Sequence, residues 1–228
     1  MRASKAGVLS AITVLGLLAS SASAANWHTN GPKTFPSTNA GITRMVIHPH
    51  GGGSTLSFQC PTAALPGTLN GPTSAALPWV NAATVTPVFG AVGNCTIAGS
   101  SGYSFACSSA EFRANSYSGG DALATAGGGV TAVALTNIDC QVSGGATACL
   151  TITGRIPAHY TNPNPLASGP GRLTVTASGQ TLTASPIGFG CAFLPTGGFT
   201  IGSPLGAGIG DTTFVVDGPS APYLYRGT

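Results

Sequence analysis

The sequence predicts an all-β protein: a single antiparallel β-sandwich or barrel-like domain, stapled by disulfides and preceded by a signal peptide. Three observations carry this. Short runs rich in β-branched and aromatic residues recur between clusters of Gly, Pro, Ser and Asn, as strands between turns do. Several runs alternate with a period of two. Leu150 and Ile152 oppose Thr151 and Thr153, and Leu173 and Val175 oppose Thr174 and Thr176, the pattern of half-buried antiparallel strands. No segment after residue 24 keeps helical spacing, because 34 glycines and 17 prolines interrupt almost every short window.

In chain order, Met1-Arg2-Ala3-Ser4-Lys5 is a basic start, residues 6–19 are almost wholly apolar, and Ala22-Ser23-Ala24 is a small-residue cleavage pattern. This reads as a Sec-type signal peptide, residues 1–24, cleaved after Ala24 to release a secreted domain of residues 25–228. The apolar run is shorter than the roughly 20 residues of a membrane helix. No second long apolar segment follows, so no membrane span is expected in the mature chain. N-terminal sequencing of protein recovered from the medium is expected to begin at Ala25, and a retained Met1 would overturn the assignment.

Strands are then expected at residues 42–48, 55–60, 84–92, 103–107, 111–117, 130–140, 148–156, 172–177, 180–184, 187–193 and 212–216. Ser143-Gly144-Gly145 sets a hairpin between two of them, and Ala177-Ser178-Gly179-Gln180 joins another two. The proline-rich stretch 157–171 reads as a long loop within one domain.

Charged residues are 6% of the chain; without Arg2 and Lys5, six basic side chains face five acidic ones. That is no electrostatic footprint for nucleic acid, which needs clustered Lys and Arg. Nor is there a polybasic or amphipathic stretch for a membrane surface. With 43% apolar residues the chain can bury a core and does not read as disordered. The six cysteines, Cys60, Cys95, Cys107, Cys140, Cys149 and Cys191, are an even count in an exported chain and imply three disulfides. No C-x-x-C pair suggests zinc, and no cofactor is expected.

The stretch His48-Pro49-His50-Gly51-Gly52-Gly53 most resembles chemistry. Its HGGG element occurs in the oxyanion holes of some esterases, and Gly102-Tyr103-Ser104-Phe105-Ala106 is close to a nucleophile elbow. Asp121 or Asp139, and then His159, follow in hydrolase order. An elbow needs a strand, a sharp turn and a helix, however, and Ser104 sits inside a strand pattern. His48 and His50 are weak candidates for a metal pair, because residues i and i+2 of a strand share a face. His28 or His159 would have to supply a third ligand. Glu111, Asp121, Asp139, Asp211 and Asp217 are too scattered to read as a glycosidase pair. Trp27, Trp79, Tyr117, Tyr160, Tyr223 and Tyr225 are aromatics that can stack on sugars, though such residues more often fill a β core.

Taken together, "WHTNG" after the signal, "TLSFQC" before "GTLNG", "VGNCTIAG", "CLTITGRIPAHYTNPN", "GRLTVTASGQTLTAS" and "GFGCAF" before "GDTTFVV" resemble a group of small secreted β-rich proteins of actinobacteria. That group has no assigned activity, so the resemblance implies a compartment and a β fold but no reaction. It also implies Cys60–Cys95 and Cys149–Cys191 pairs, leaving Cys107 with Cys140. Alternation places Cys60, Cys95, Cys107, Cys140 and Cys191 on the same faces as Phe58, Ile97, Phe105, Ile138 and Phe189. Cys149 falls opposite Leu150 and Ile152. Either a bulge turns it inward, or Cys149 bridges the hairpin to Cys140 and leaves Cys107 for Cys191.

The expectation is a non-catalytic secreted or cell-wall-associated structural or binding module. Its partner would be an unknown extracellular ligand or a cell-envelope component. The alternatives are a secreted carbohydrate-active or other hydrolase with a sparse acid pair, and an inhibitor presenting loop 157–171.

Overall fold

The computed structural model describes residues 26–30, 34–39, 41–70, 74–75, 79–90, 94–97, 100–118, 129–163, 170–187, 194–216 and 223–227. Strand β1 (Asn26–Asn30) pairs with segments from elsewhere in the chain, and eight long staves then follow. The first stave is β2 (Thr34–Phe35), β3 (Ser37–Asn39) and β4 (Thr43–Pro49). The second is β5 (Leu56–Cys60), β6 (Ala63–Ala64) and β7 (Gly67–Leu69). After β8 (Ser74–Ala75) the third stave is β9 (Trp79–Val85), β10 (Val88–Phe89) and β11 (Cys95–Ile97). The fourth is β12 (Ser100–Cys107) and β13 (Ala110–Ser118). The fifth and sixth are single strands, β14 (Gly129–Gly144) and β15 (Thr147–Thr161). The seventh is β16 (Gly171–Val175) and β17 (Leu182–Pro186). The eighth is β18 (Gly197–Leu205), β19 (Gly208–Gly210) and β20 (Thr212–Val216), and β21 (Tyr223–Gly227) ends the chain.

Each stave pairs antiparallel with the one before it, and the eighth returns to the first through β18–β4 and β20–β3. The expected all-β fold is therefore a closed up-and-down antiparallel barrel. β1 lies apart, paired with β8 and β21 in a small sheet.

Eight staves leave an interior just wide enough for side chains to fill. Met45, Ile47, Phe58, Val85, Leu135, Leu150, Ile152, Leu173, Phe199 and Phe214 all point inward and are buried. Phe58 meets Tyr103 and Phe105 edge-on, at 5.8 and 5.5 Å between ring centres. The alternate positions face outward and are mainly Thr, Ser, Gln and Arg, such as Arg44, Ser57, Gln59, Gln141, Thr151, Thr153, Arg172, Thr183 and Ser185. The buried Ser37 and Thr212 hydroxyls find partners in the Leu65 carbonyl and the Ser203 hydroxyl.

The staves are too long to stay regular, and most break near mid-height. In the long hairpin β14–β15 the register shifts between Leu135 and Ile138. The extra residue is Asn137 at φ 57°, a side chain that tolerates the left-handed region better than most. Such bulges bend a strand and raise its twist, which lets long strands wrap a narrow barrel.

In the seventh stave the break is longer. The Ala177–Gln180 segment was expected to be a hairpin turn between two paired strands. β16 and β17 instead run end to end, both beside β15, with this segment looped out between them. Gln180 closes the gap: its amide accepts from Ile201 N–H at 2.8 Å and donates to the Ile201 carbonyl at 2.7 Å. That is the two-way exchange a directly opposed strand residue would make. Gln180→Leu is expected to leave both groups of buried Ile201 unpaired and cost about 2 kcal/mol. A chemical-denaturation curve superimposable on the parent's would refute this.

The 157–171 loop also needs correction. Residues 157–161 continue β15, with Pro157 opposite Ala134 and residues 158–161 paired to β16. Proline gives up one ladder donor but can sit beside an irregularity. Its carbonyl still accepts from the Thr176 backbone and hydroxyl. The expected 84–92 strand breaks at residues 86–87, and most of the expected 187–193 strand lies outside the described residues. Strands at 34–39, 63–69 and 197–210 were not expected at all.

Two disulfides tie directly opposed residues of neighbouring staves. Cys60–Cys95 joins the second and third, and Cys107–Cys140 the fourth and fifth. Ser108 N–H donates to the Asp139 carbonyl at 2.9 Å, so the adjoining Cys107/Cys140 position is a non-hydrogen-bonded pair, where facing side chains come closest. The Cys107–Cys140 bond overturns the alternative Cys140–Cys149 bridge. Cys149 is itself disulfide-bonded and fully buried; the other expected partner, Cys191, lies outside the described residues. The inward position of Cys149 comes from a register shift, since Val142 pairs with Leu150 but Ser143 with Ala148, making Cys149 the extra residue.

Candidate functional site

The hydrolase constellation does not assemble. Ser104 is a ladder residue opposite Ser143, which in turn faces Ala148 near the top of β15. His159 lies eleven residues further down β15, roughly 35 Å away at the usual strand rise. Gly51, Gly52 and Gly53 all have positive φ (87°, 85° and 127°), and a Cβ on any of them would touch nothing within 4 Å. They form an exposed connection between β4 and β5, tethered by His50 N–H to the Thr196 carbonyl at 3.1 Å. His48 is exposed at the end of β4, with Nε2 3.2 Å from the Thr200 hydroxyl. Among the described residues no three His, Cys, Asp or Glu side chains gather where they could hold a metal ion.

The acidic groups are dispersed. Glu111 faces outward on β13, Asp139 is exposed on β14, and Asp211 accepts the Ala177 N–H at 2.8 Å. Asp121 and Asp217 lie outside the described residues. Of the six aromatics able to stack on sugars, Tyr160 is buried in the core, as such residues more often are, and the side chains of the other five lie outside what the structure describes.

Among the described residues the barrel lumen holds little free space. Its void is about 10 Å³, about the free volume one water needs, and its lining, including Leu65, Phe89, Leu135, Ile156 and Phe214, exposes no polar surface. Space for a ligand lies on the outer wall. One trough of about 500 Å³ runs over the first four staves, lined by Thr34, Thr68, Thr84, Thr86, Ser109 and neighbouring prolines. Thr34, Thr68, Thr84, Glu111 and Thr136 stand directly opposed across five staves, a row repeating about every 4.8 Å.

A second groove, of about 390 Å³, lies over the first and eighth staves. Its floor is the outward row Arg44, Val46 and His48 of β4 with the opposed Thr200 of β18. One wall is Ala177 and Ser178 of the looped-out segment; another is Ala207, Gly208 and Ile209 of the β18–β19 hairpin. Val46 points outward yet is only 6% exposed, which marks how closely the groove encloses its floor.

Arg44 is held rigidly: Nε donates to the Ser57 hydroxyl at 2.9 Å, and Nη1 to the Gly206 and Gly208 carbonyls at 3.2 Å each. Among the described residues no carboxylate lines either groove. Sequence reasoning missed both, because each depends on which outward residues the register sets side by side. Among the described residues the arrangement offers fixed hydrogen-bond donors and acceptors and no pair of carboxylates. A search of protein families, curated proteins and solved structures finds no match to this chain.

Proposed function

We propose that this protein is a non-catalytic binding or structural module, exported and acting at the cell envelope or in the surrounding medium through the outer wall of its barrel. The observation that carries the reading is the division of labour between the two sides of the wall. The interior is filled by apolar side chains, while both grooves open outward onto hydroxyls and backbone. Disulfides pinned between staves suit an oxidising compartment. The outward Thr, Ser, Gln and Arg pattern is the reverse of the apolar band that a lipid-facing barrel presents, which supports a water-facing wall.

The test is cosedimentation of the purified protein with insoluble cell-envelope material, alongside an assay for released reducing sugar. Binding without product release is expected. Turnover that disappears in Glu111→Gln would establish the hydrolase alternative instead.

A further inference from the structure

We propose that the groove over the first and eighth staves binds an acidic sugar, a pyranose bearing a carboxylate such as a uronic acid residue. This rests on the reading of the outer wall as the contact surface. Three features define the ligand chemistry.

The first is charge. Three of the five Arg44 donors are spent on Ser57, Gly206 and Gly208, which fixes the guanidinium plane. The two hydrogens of Nη2 have no partner among the described residues. A guanidinium fixed in this way can meet a carboxylate without first losing side-chain freedom. Among the described residues no acidic side chain lines the groove. Asp211, on the segment between β19 and β20, is outside the lining, and its Oδ1 is occupied by the Ala177 N–H.

The second is the ring of neutral polar groups. Thr55, Ser178, Thr200 and the His48 imidazole line the groove, each able to donate or accept as sugar hydroxyls require. Gly198 stands opposite His48, and a Cβ there would touch nothing within 4 Å. That leaves a side-chain-sized recess beside the imidazole.

The third is the apolar patch. Half-buried Ile209, with the nearly covered Val46 beneath it in the floor, gives the C–H face of a pyranose a surface to rest on. A simple anion would use only the first feature and a neutral sugar only the other two.

The experiment is a titration of the ¹⁵N-labelled protein followed by amide shifts, with D-glucuronate as probe and D-glucose and inorganic phosphate as comparators. Glucuronate is expected to move the amides of Val46, Ser178 and Thr200 and to bind more tightly than either comparator. Ser178→Glu, on an exposed turn, places a negative charge at the rim and is expected to weaken glucuronate binding about tenfold without changing the melting temperature. Thr200→Val should weaken it several-fold. Glucose binding as tightly as glucuronate would overturn the role given to Arg44, and phosphate binding as tightly would overturn the sugar. Shifts confined to Thr68 and Thr84 would move the site to the other trough. If glucuronate fails while cosedimentation with envelope material persists, the groove assignment falls and the outer-wall reading stands. If both fail, both fall.

Discussion

Replacing Gly154 with alanine is expected to cost roughly 4 kcal/mol, enough to lower the melting temperature by about 10 °C. Gly154 sits in β15 at the register shift opposite Ile138, with φ at 136°, where an L side chain is strained whatever the space. Space is also lacking. A Cβ there would overlap the Thr181 carbonyl oxygen and stand 3.0 Å from Leu182 Cα, both backbone atoms of the seventh stave that no rotamer change can move. The glycine is therefore where the sixth stave lets the seventh rejoin it after the Ala177–Gln180 excursion. The comparison that isolates this effect is Gly198→Ala, at a strand position without positive φ and with nothing within 4 Å. That variant should stay within about 0.5 kcal/mol of the parent. Equal melting temperatures for both variants would show that the close approach does not constrain the fold.

Removing the Cys107–Cys140 bond by the double change Cys107→Ser and Cys140→Ser is expected to cost about 3–4 kcal/mol. The bond closes a segment with a sequence separation of 33 residues, and its loss lets the unfolded chain regain the freedom of that loop. The fold around it should survive, because β12 and β14 remain registered from Tyr103 opposite Gly144 to Ala106 opposite Gln141. Denaturant unfolding should therefore show a lower midpoint with an otherwise similar circular-dichroism spectrum. A loss of β signal at zero denaturant would mean that the bond is needed to form the ladder rather than to stabilise it.

The sequence revealed the parts of this fold governed by strict alternation. β5 lies almost where the shared parity of Phe58 and Cys60 put it, and β20 matches the β-rich run expected at 212–216. What it concealed was set by contacts between distant residues. The segment Gly197–Leu205 carries three glycines, a proline and few β-branched residues, and its own propensity argues against a strand. It becomes one because β4 and β17 supply ladders on either side. Pro157 looked like the start of a loop, although a bulge zone accommodates a missing N–H. Gln180 read as a turn residue, yet its side chain stands in for backbone. Cys149 broke parity, and the bulge that restores it is visible only once Val142 and Ser143 are paired. The candidate groove was half legible. Arg44, Val46 and His48 share a face by period two, but Thr200 and Ser178 come from stretches 152 and 130 positions after His48, and only closure of the barrel brings them there.

That closure also bears on the strand edges that so weakly charged a chain would otherwise expose. Proteins commonly resist clumping through net charge, and here charged residues are only 6% of the sequence. The other hazard of a β protein is a strand with a free edge, whose unpaired N–H and C=O groups invite another chain to add itself. In the barrel wall the return of the eighth stave to the first removes that edge. Mutual repulsion is then less needed, and the outer surface can consist of hydroxyls and glycine.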